Sequence, residues 1–403
     1  MRPQNTGLNA LICIILIALS SFASNVSIGT FGVLTWIAPL LVIHVIFMSV
    51  VHKQVNRINY TDILLYVLYA IIFYICTIFN GDGNIGRNSL VIQYLTCMMI
   101  FIAIYYDITT LYAIRIAMNV IIILLLLNCI ITILQFNNSS IGWGVWYFFN
   151  SSQLNSEEII KNATSVLATQ TIGNQTLCPG IFPTQVYNGY ILATAGIMNV
   201  CYYPQIRKWR LINIIITLLT LISLFVTQQR MAFYIFLIFC AYLYYRKHKA
   251  ITISLVIIGA IFYTYTNLSL TEDYIGRYAN TEDHLREQLY NSAIEFISQN
   301  YLVGGRIAYS KISDYSAHNV FLNAFIYGGL FGGILILIIY FRMCFKAIRI
   351  ILRNNQKAMS TVFAFGLLSF NIISLTHNDS LLTGEPIIWI MYALMLLSLK
   401  YEK

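Results

Sequence analysis

The sequence predicts an all-α polytopic membrane protein with about twelve transmembrane helices in one integral membrane domain, residues 1–403. Of the 403 residues, 59% are hydrophobic and only 10% are charged, whereas soluble domains carry about 25% charged residues. Apolar runs long enough to cross a hydrocarbon core of about 30 Å recur along the chain. The predicted spans are 8–24, 31–51, 62–79, 89–106, 109–135, 182–203, 211–228, 230–245, 250–266, 319–341, 358–375 and 386–400.

The basic residues predict how these spans are oriented. Sixteen of the 24 lysines and arginines fall on one side of the predicted topology, whereas 12 of the 15 acidic residues fall on the other. Lysine and arginine mark the cytoplasmic ends of spans. We therefore expect both termini in the cytoplasm. The net charge of +9 then reflects topology and contact with the lipid bilayer, and no nucleic-acid partner is expected.

Two long connections lie on the outer face in this topology, and loops of such length within a compact protein are commonly functional. Each contains apolar residues that recur at helical spacing. The connections are 136–181, with Ile159, Ala163 and Val166, and 267–318, with Leu285, Leu289, Ala293 and Phe296. We expect amphipathic helices that lie on the membrane surface as a lid. The alternative for the first helix is a simple tie between spans.

Arginines at the outer ends of spans are candidate anion-binding groups. Arg230 lies in a short turn between two apolar runs, and Arg286 lies in the first turn of the second predicted lid helix. A guanidinium group binds phosphate oxygens through paired hydrogen bonds, and a helix N-terminus adds partial positive charge. The alternatives are an Arg230 that snorkels to lipid headgroups and an Arg286 that pairs with Glu282 or Glu287. Weaker candidates of the same kind are Arg277 and Arg306.

His318 and Asn319 stand where a polar loop meets an apolar run without charged residues. An imidazole with a pKa near neutrality can accept a proton from a hydroxyl group, and Asn319 can orient its ring. The alternative is a helix start capped by Ser316 or Asn319. Four glycines in the following run predict a small-residue face for helix packing; they are Gly328, Gly329, Gly332 and Gly333.

Metal and nucleotide chemistry are not expected. The six histidines show no His-x-x-x-His spacing, and no Asp-x-Asp or nucleotide-binding glycine motif occurs. Only Cys178 lies in a long polar loop, so no disulfide framework is predicted. His377, on the outer face near Asp379, is a weak further candidate for the site.

Three short stretches resemble motifs of the O-antigen polymerase and O-antigen ligase superfamily of bacterial membrane glycosyltransferases. They are "TQQR" (227–230), "HLREQLYNSAIEFISQNYLVGG" (284–305) and "AHNVFLNAFIYGGLFGG" (317–333), and "GIFPTQVYNGYILA" (180–193) is a looser match that includes Tyr187. The resemblance implies a GT-C-like fold in the bacterial inner (cytoplasmic) membrane. It also implies a metal-independent transfer at a site that faces the periplasm, with both large loops periplasmic.

The resemblance further implies roles for the candidate residues. Arg230 and Arg286 would bind the diphosphate of an undecaprenyl-diphosphate-linked glycan, His318 would deprotonate the acceptor sugar, and Asn319 would support His318. The donor and acceptor are then both lipid-linked glycans, no cofactor is needed because the diphosphate is already an activated leaving group, and a chain-length regulator is a candidate partner. Weaker substrate-binding candidates are Tyr187, Arg277, Arg306 and His377.

Three activities are distinguished at this point. Two large outer loops favour a polymerase of lipid-linked repeat units, although the Arg-x(10)-Gly pattern described for polymerase loops is absent. A ligase that transfers the glycan to lipid A core is the first alternative. A flippase-type transporter is the second, but carriers line their bundle interior with polar groups, and here only Arg115 and scattered asparagines lie within the spans.

Overall fold

The computed structural model describes residues 27–28, 31–52, 61–80, 84–108, 110–154, 171–172, 175–176, 178–202, 210–245, 284–313, 316–353, 358–376 and 381–402. Most of these residues are helical. The helices are α1 (Val33–His52), α2 (Thr61–Phe79), α3 (Asn84–Asp107), α4 (Leu111–Phe136), α5 (Ser140–Leu154), α6 (Gln185–Tyr202), α7 (Arg210–Val226), α8 (Arg230–Tyr245), α9 (His284–Gln299), α10 (Arg306–Ser310), α11 (Val320–Leu352), α12 (Met359–Ser374) and α13 (Pro386–Tyr401).

Two short antiparallel hairpins complete the described secondary structure. In the first, β1 (Ser27–Ile28) pairs with β2 (Phe31–Gly32). In the second, β3 (Thr171–Ile172) pairs with β4 (Gln175–Thr176). Each strand has two residues, so these hairpins add little to an otherwise helical architecture.

Long apolar helices give the chain the character of a polytopic membrane protein. Within the described ranges, four helical segments are long and apolar enough to cross a bilayer: Thr61–Phe79, Leu90–Asp107, Leu111–Phe136 and Val320–Leu352. Five shorter apolar helical segments accompany them. Helices occupy ten of the twelve predicted spans, whereas the predicted spans 8–24 and 250–266 lie outside the described residues. The total number of crossings and their orientation stay predictions.

Two compact units make up the chain, Met1–Val120 with Asp283–Lys403, and Ile121–Glu282, and they are described separately. The first unit has an aromatic core, in which the rings of Tyr66 and Trp389 lie 4.7 Å apart between centroids. At one end of this unit, the buried carboxylate of Asp62 accepts hydrogen bonds from Arg342 (2.7 Å) and Lys346. This cluster joins the beginning of α2 to the later part of α11.

Buried amide side chains hold the second unit together. Asn128 on α4 donates to the Asn188 side chain on α6 at 2.7 Å, and Asn188 donates in turn to Thr132 at 3.1 Å. Gln135 forms a pair of 2.7 Å hydrogen bonds with the backbone N–H and C=O of Gly180. All five residues are buried, so the loop before α6 is fixed to α4 by hydrogen bonds away from water.

Three helices test the predictions for the two long connections and for the span that follows the second one. The periodicity predicted for residues 285–296 is confirmed, because α9 buries Leu289, Ala293 and Phe296. In the other connection, α5 forms a helix over Ser140–Leu154 that was not predicted. The predicted lid helix with Ile159, Ala163 and Val166 lies outside the described residues. The apolar run predicted as one span over 319–341 is part of a 33-residue helix, α11, that is broken at Gly329.

Candidate functional site

The break in α11 is stabilised by the segment that follows α9. In an unbroken helix the Leu330 N–H would donate to the Ile326 carbonyl. Gly329 has φ 58° and ψ −159°, which opens this step. The Leu330 N–H instead donates to the Tyr301 carbonyl at 2.7 Å, and the Ile326 carbonyl accepts from the Gly305 N–H at 2.7 Å. Both groups released by the break therefore keep a partner. We call Tyr301–Gly305 the clamp segment.

Glycine is required on both sides of this contact. A Cβ atom on Gly304, where φ is +68°, would lie 2.5 Å from the Ile326 carbonyl oxygen. A Cβ atom on Gly329 would lie 2.2 Å from the Leu302 carbonyl oxygen. The predicted packing role of the α11 glycines holds for Gly328 and Gly332, which face Tyr69 of α2. It is wrong for Gly329, whose function is to allow the break.

A small hydrophobic cluster joins α9, α10 and the start of α11. Its buried members are Ala293 and Phe296 of α9, Tyr309 of α10, and Ala317 and Ile326. The rings of Phe296 and Tyr309 meet edge to face with centroids 5.4 Å apart. Burial raises the pKa of the Tyr309 hydroxyl, against a hydrogen bond from Ser313 that lowers it. We call this set the hinge cluster because it holds α9 and α10 against α11.

His318 directly follows the hinge cluster. Its neighbour Ala317 is fully buried and donates its backbone N–H to the Asn323 side chain at 3.1 Å. His318 itself is partly buried and has φ +46°, a left-handed conformation that costs a residue with a Cβ atom about 1–2 kcal/mol. Such strain persists only where the surroundings impose it, and it concentrates at functional sites. The hinge cluster therefore fixes the backbone from which the imidazole projects.

Asn319 is the N-cap of α11. Its side-chain oxygen accepts hydrogen bonds from the backbone N–H groups of Phe321 (2.9 Å) and Leu322 (3.2 Å). The capping alternative is thus confirmed for Asn319, and it accounts for the asparagine without accounting for the histidine before it.

Arg286 lies in the first turn of α9, as the sequence predicted, and its side chain is partly buried. It precedes Leu289 by three residues and Ala293 by seven, so it lies on the same face of α9 as the residues that pack into the hinge cluster. Arg306 begins α10 and is exposed, and its guanidinium carbon lies 5.3 Å from the centre of the Tyr327 ring, a cation–π contact. Arg277 and His377, the other weak candidates, lie outside the described residues.

In the second unit, Arg230 is the first residue of α8, directly after a three-residue turn from α7. The predicted tight turn is confirmed. Gln228 within it has φ +57°, and its N–H donates to the Phe225 carbonyl at 3.2 Å. The turn packs on the beginning of α6, because a Cβ atom on Gly189 would lie 2.7 Å from the Cβ of Gln229. Two of the stretches with family resemblance, 180–193 and 227–230, therefore meet at this point.

Tyr187 lies two residues before Gly189 in the first turn of α6. It is 7% exposed, and its ring meets Phe182 edge to face with centroids 5.1 Å apart. Its backbone N–H donates to the Thr184 hydroxyl at 3.3 Å. Tyr187 thus packs against the loop before α6, which makes a structural role evident. Substrate contact by Tyr187 stays a prediction.

Sequence analysis did not predict which residues have a left-handed backbone, nor did it predict the clamp segment. Among the described residues, the non-glycine positions with positive φ are Asn138, Gln228 and His318. Asparagine and histidine adopt this conformation more often than other residues with a Cβ atom, whereas glutamine seldom does. Two of the three positions are His318 and Gln228, which lies two positions before Arg230. Backbone strain therefore occurs beside two of the predicted catalytic side chains, and no spacing in the sequence reports it.

Comparison with known proteins gives one family. Residues 215–337 match a family model described as O-Antigen ligase. The matched segment includes α8, α9, α10 and the break in α11, and it contains Arg230, Arg286 and His318. A search of curated proteins found no match for the chain. Among the described residues, no group of three or more His, Cys, Asp or Glu side chains could hold a metal ion.

Proposed function

We propose, from the match of residues 215–337 to a family model described as O-Antigen ligase and from the resemblance of three short stretches to O-antigen polymerases and ligases, that this chain is a surface-polysaccharide polymerase. It joins one undecaprenyl-diphosphate-linked oligosaccharide to the next lipid-linked repeat unit. The reaction takes place at the periplasmic face of the bacterial inner membrane, and both termini lie in the cytoplasm. The observation that carries the site is His318, held in a left-handed conformation between the hinge cluster and the N-cap of α11.

In this mechanism His318 is the general base. Its neutral imidazole takes the proton of an acceptor hydroxyl, and the freed oxygen forms a bond to the anomeric carbon of the donor. The bond from that carbon to the diphosphate breaks, so undecaprenyl diphosphate leaves with the electron pair. A rigid backbone at His318 favours this role, because proton transfer needs the base within hydrogen-bond distance of the hydroxyl.

Arg230 and Arg286 are the proposed diphosphate ligands. Each lies at the first turn of a helix, where the partial positive charge of the N-terminus adds to that of the guanidinium group. Their guanidinium groups stabilise the negative charge that grows on the diphosphate as it leaves. The position of Arg286 on the face of α9 that packs into the hinge cluster supports its placement near His318.

A ligase is the second candidate. The description of the matching family model names a ligase, whereas the two large connections, 136–181 and 267–318, favour a polymerase. The two activities share the donor and the chemistry at His318 and differ only in the acceptor.

Incubation of the purified protein with lipid-linked repeat units in detergent tests the proposal. A ladder of longer lipid-linked glycans without a second acceptor is the expected result. Transfer only after addition of lipid A core would identify a ligase, and no new covalent product would point to a carrier. His318→Ala and Arg230→Ala are expected to abolish the ladder while the protein stays in the membrane. Normal ladders from either variant would overturn the site assignment.

A further inference from the structure

Asn323 of α11 forms hydrogen bonds with both neighbours of His318 in the chain. Its side-chain oxygen accepts from the Ala317 N–H at 3.1 Å, and its own backbone N–H donates to the Asn319 carbonyl at 3.0 Å. Asn323 is 2% exposed and Ala317 is fully buried, so water is not available to replace the bond between them. One residue of α11 therefore holds the chain on either side of His318.

These two bonds account for the left-handed backbone at His318. The residues before and after it both approach Asn323, so the chain turns sharply between them, and His318 takes up this turn with φ +46°. Rotation of His318 towards an ordinary conformation would move the Ala317 N–H away from the Asn323 oxygen. A hydrogen bond weakens steeply when it is misaligned, whereas the apolar packing of Ala317 in the hinge cluster has no preferred direction. The hydrogen bond therefore sets the orientation at His318 more closely than the packing does.

The two asparagine side chains near His318 have different roles. The Asn319 oxygen caps α11 by accepting from the N–H groups of Phe321 and Leu322, which follow His318 in the chain. The Asn323 oxygen instead reaches back past His318 to a residue before it. Loss of the cap would loosen the start of the helix, whereas loss of the Asn323 oxygen would release the segment that leads into His318.

We propose that Asn323 is a positioning residue for His318, because its side-chain oxygen holds the Ala317 N–H and so orients the imidazole towards the hydroxyl group of the acceptor sugar. This role rests on the proposed function, in which His318 is the general base. A general base must lie within hydrogen-bond distance of the proton that it takes, and a displacement of about 1 Å can lower a rate about 100-fold. Because Asn323 acts through His318, it affects the chemical step and not the binding of the lipid-linked glycan.

Three variants of the full-length protein in detergent test this role. Asn323→Leu has a similar shape but lacks the oxygen, and it is expected to lower kcat about 10- to 100-fold while KM for the lipid-linked repeat unit stays unchanged. Asn323→Asp keeps an oxygen there, and a negative charge in the first turn of a helix is tolerated, so it should restore most of kcat. Asn371→Leu is the matched control. Asn371 is a buried residue of α12 whose side chain contacts Cys344 in the later part of α11, and its loss should leave kcat of the folded protein unchanged.

Four results would overturn the positioning role. They are an equal kcat for Asn323→Leu and the unchanged protein, a rise in KM at unchanged kcat, an equal fall in kcat for Asn323→Leu and Asn371→Leu, and no recovery of kcat in Asn323→Asp. If Asn323→Leu does not fold, Asn323→Ala decides by the same constants, because it removes the same oxygen and adds no bulk.

Chemical modification of His318 tests the same role without any activity. Diethylpyrocarbonate acylates neutral imidazole groups, and peptide mass spectrometry follows the rate at this residue. His318 is partly buried, and release of the preceding segment exposes it, so Asn323→Leu should be modified several-fold faster than the unchanged protein. Asn323→Asp and Asn371→Leu should keep the original rate. Equal rates in all variants would refute the positioning of His318 by Asn323. Different rates in a protein that makes no transferase product would support it and refute the proposed function.

Discussion

Replacement of Gly329 by alanine tests the clamp on α11 most directly. An alanine with φ 58° carries backbone strain of about 1–3 kcal/mol. Its Cβ would lie 2.2 Å from the Leu302 carbonyl oxygen, so the clamp segment must move. That movement breaks the hydrogen bonds at Ile326 and Leu330, at about 1–1.5 kcal/mol each. The sum of about 3–6 kcal/mol is comparable to the whole free energy of unfolding of many proteins, about 5–15 kcal/mol.

Gly332→Ala is the matched control. A Cβ atom there meets Tyr69 at 3.5 Å, an ordinary contact, and alanine is a better helix former than glycine by about 1 kcal/mol. We expect Gly332→Ala to match or exceed the natural protein in the fraction that stays monodisperse after heating in detergent. Gly329→Ala should lose most of that fraction, or else be cleaved rapidly by protease within residues 300–313. Equal heat resistance and equal protease resistance of the two variants would refute the clamp.

Three further predictions follow from the described geometry. His318→Asn should fold normally, because asparagine tolerates a left-handed backbone, but it should lack activity because the imidazole is gone. His318→Val should lack activity and also lose stability in a thermal shift assay. Equal stability of the two variants would show that the backbone at residue 318 is not strained. Cys178 is fully buried, and burial raises its pKa to about 12, so this thiol is almost entirely protonated at pH 7.5. N-Ethylmaleimide should therefore modify it only after denaturation, as followed by peptide mass spectrometry, and rapid labelling of the folded protein would contradict its burial. Asn188→Ala leaves several buried hydrogen-bonding partners unsatisfied and should lower the free energy of unfolding by about 2–5 kcal/mol. The exposed Asn137→Ala is the control. Equal melting temperatures of the two variants would argue against the amide network.

Hydropathy and periodicity were sufficient to predict most helices and the positions of the charged candidates. The apolar face of α9 could be predicted because Leu289, Ala293 and Phe296 repeat at helical spacing. The turn at Arg230 could be predicted because two apolar runs meet there. These features depend on residues close together in the sequence. The family resemblance added the pairing of His318 with the two arginines, which no local pattern supplies.

The features that were not predicted depend on partners far apart in the sequence. The break at Gly329 needs hydrogen bonds from the clamp segment, more than twenty residues earlier, and a run of apolar residues with glycines gives no sign of it. Glu385 before Pro386 is typical of a helix start at the surface, yet its neighbours Leu381 and Gly384 accept hydrogen bonds from α2 and α3, 315 and 287 residues earlier in the chain. Patterns within a short stretch of sequence cannot predict such contacts.

The interlocked backbones at Gly304 and Gly329 impose a rule on hybrid proteins that combine segments of this chain with segments of another. Each segment supplies the hydrogen-bonding partners that the other has lost, so a hybrid keeps the break in α11 only where glycine stands at both positions. A crossover placed between them separates the two glycines. Exchange of specificity is best attempted by transplanting 284–333 as one block.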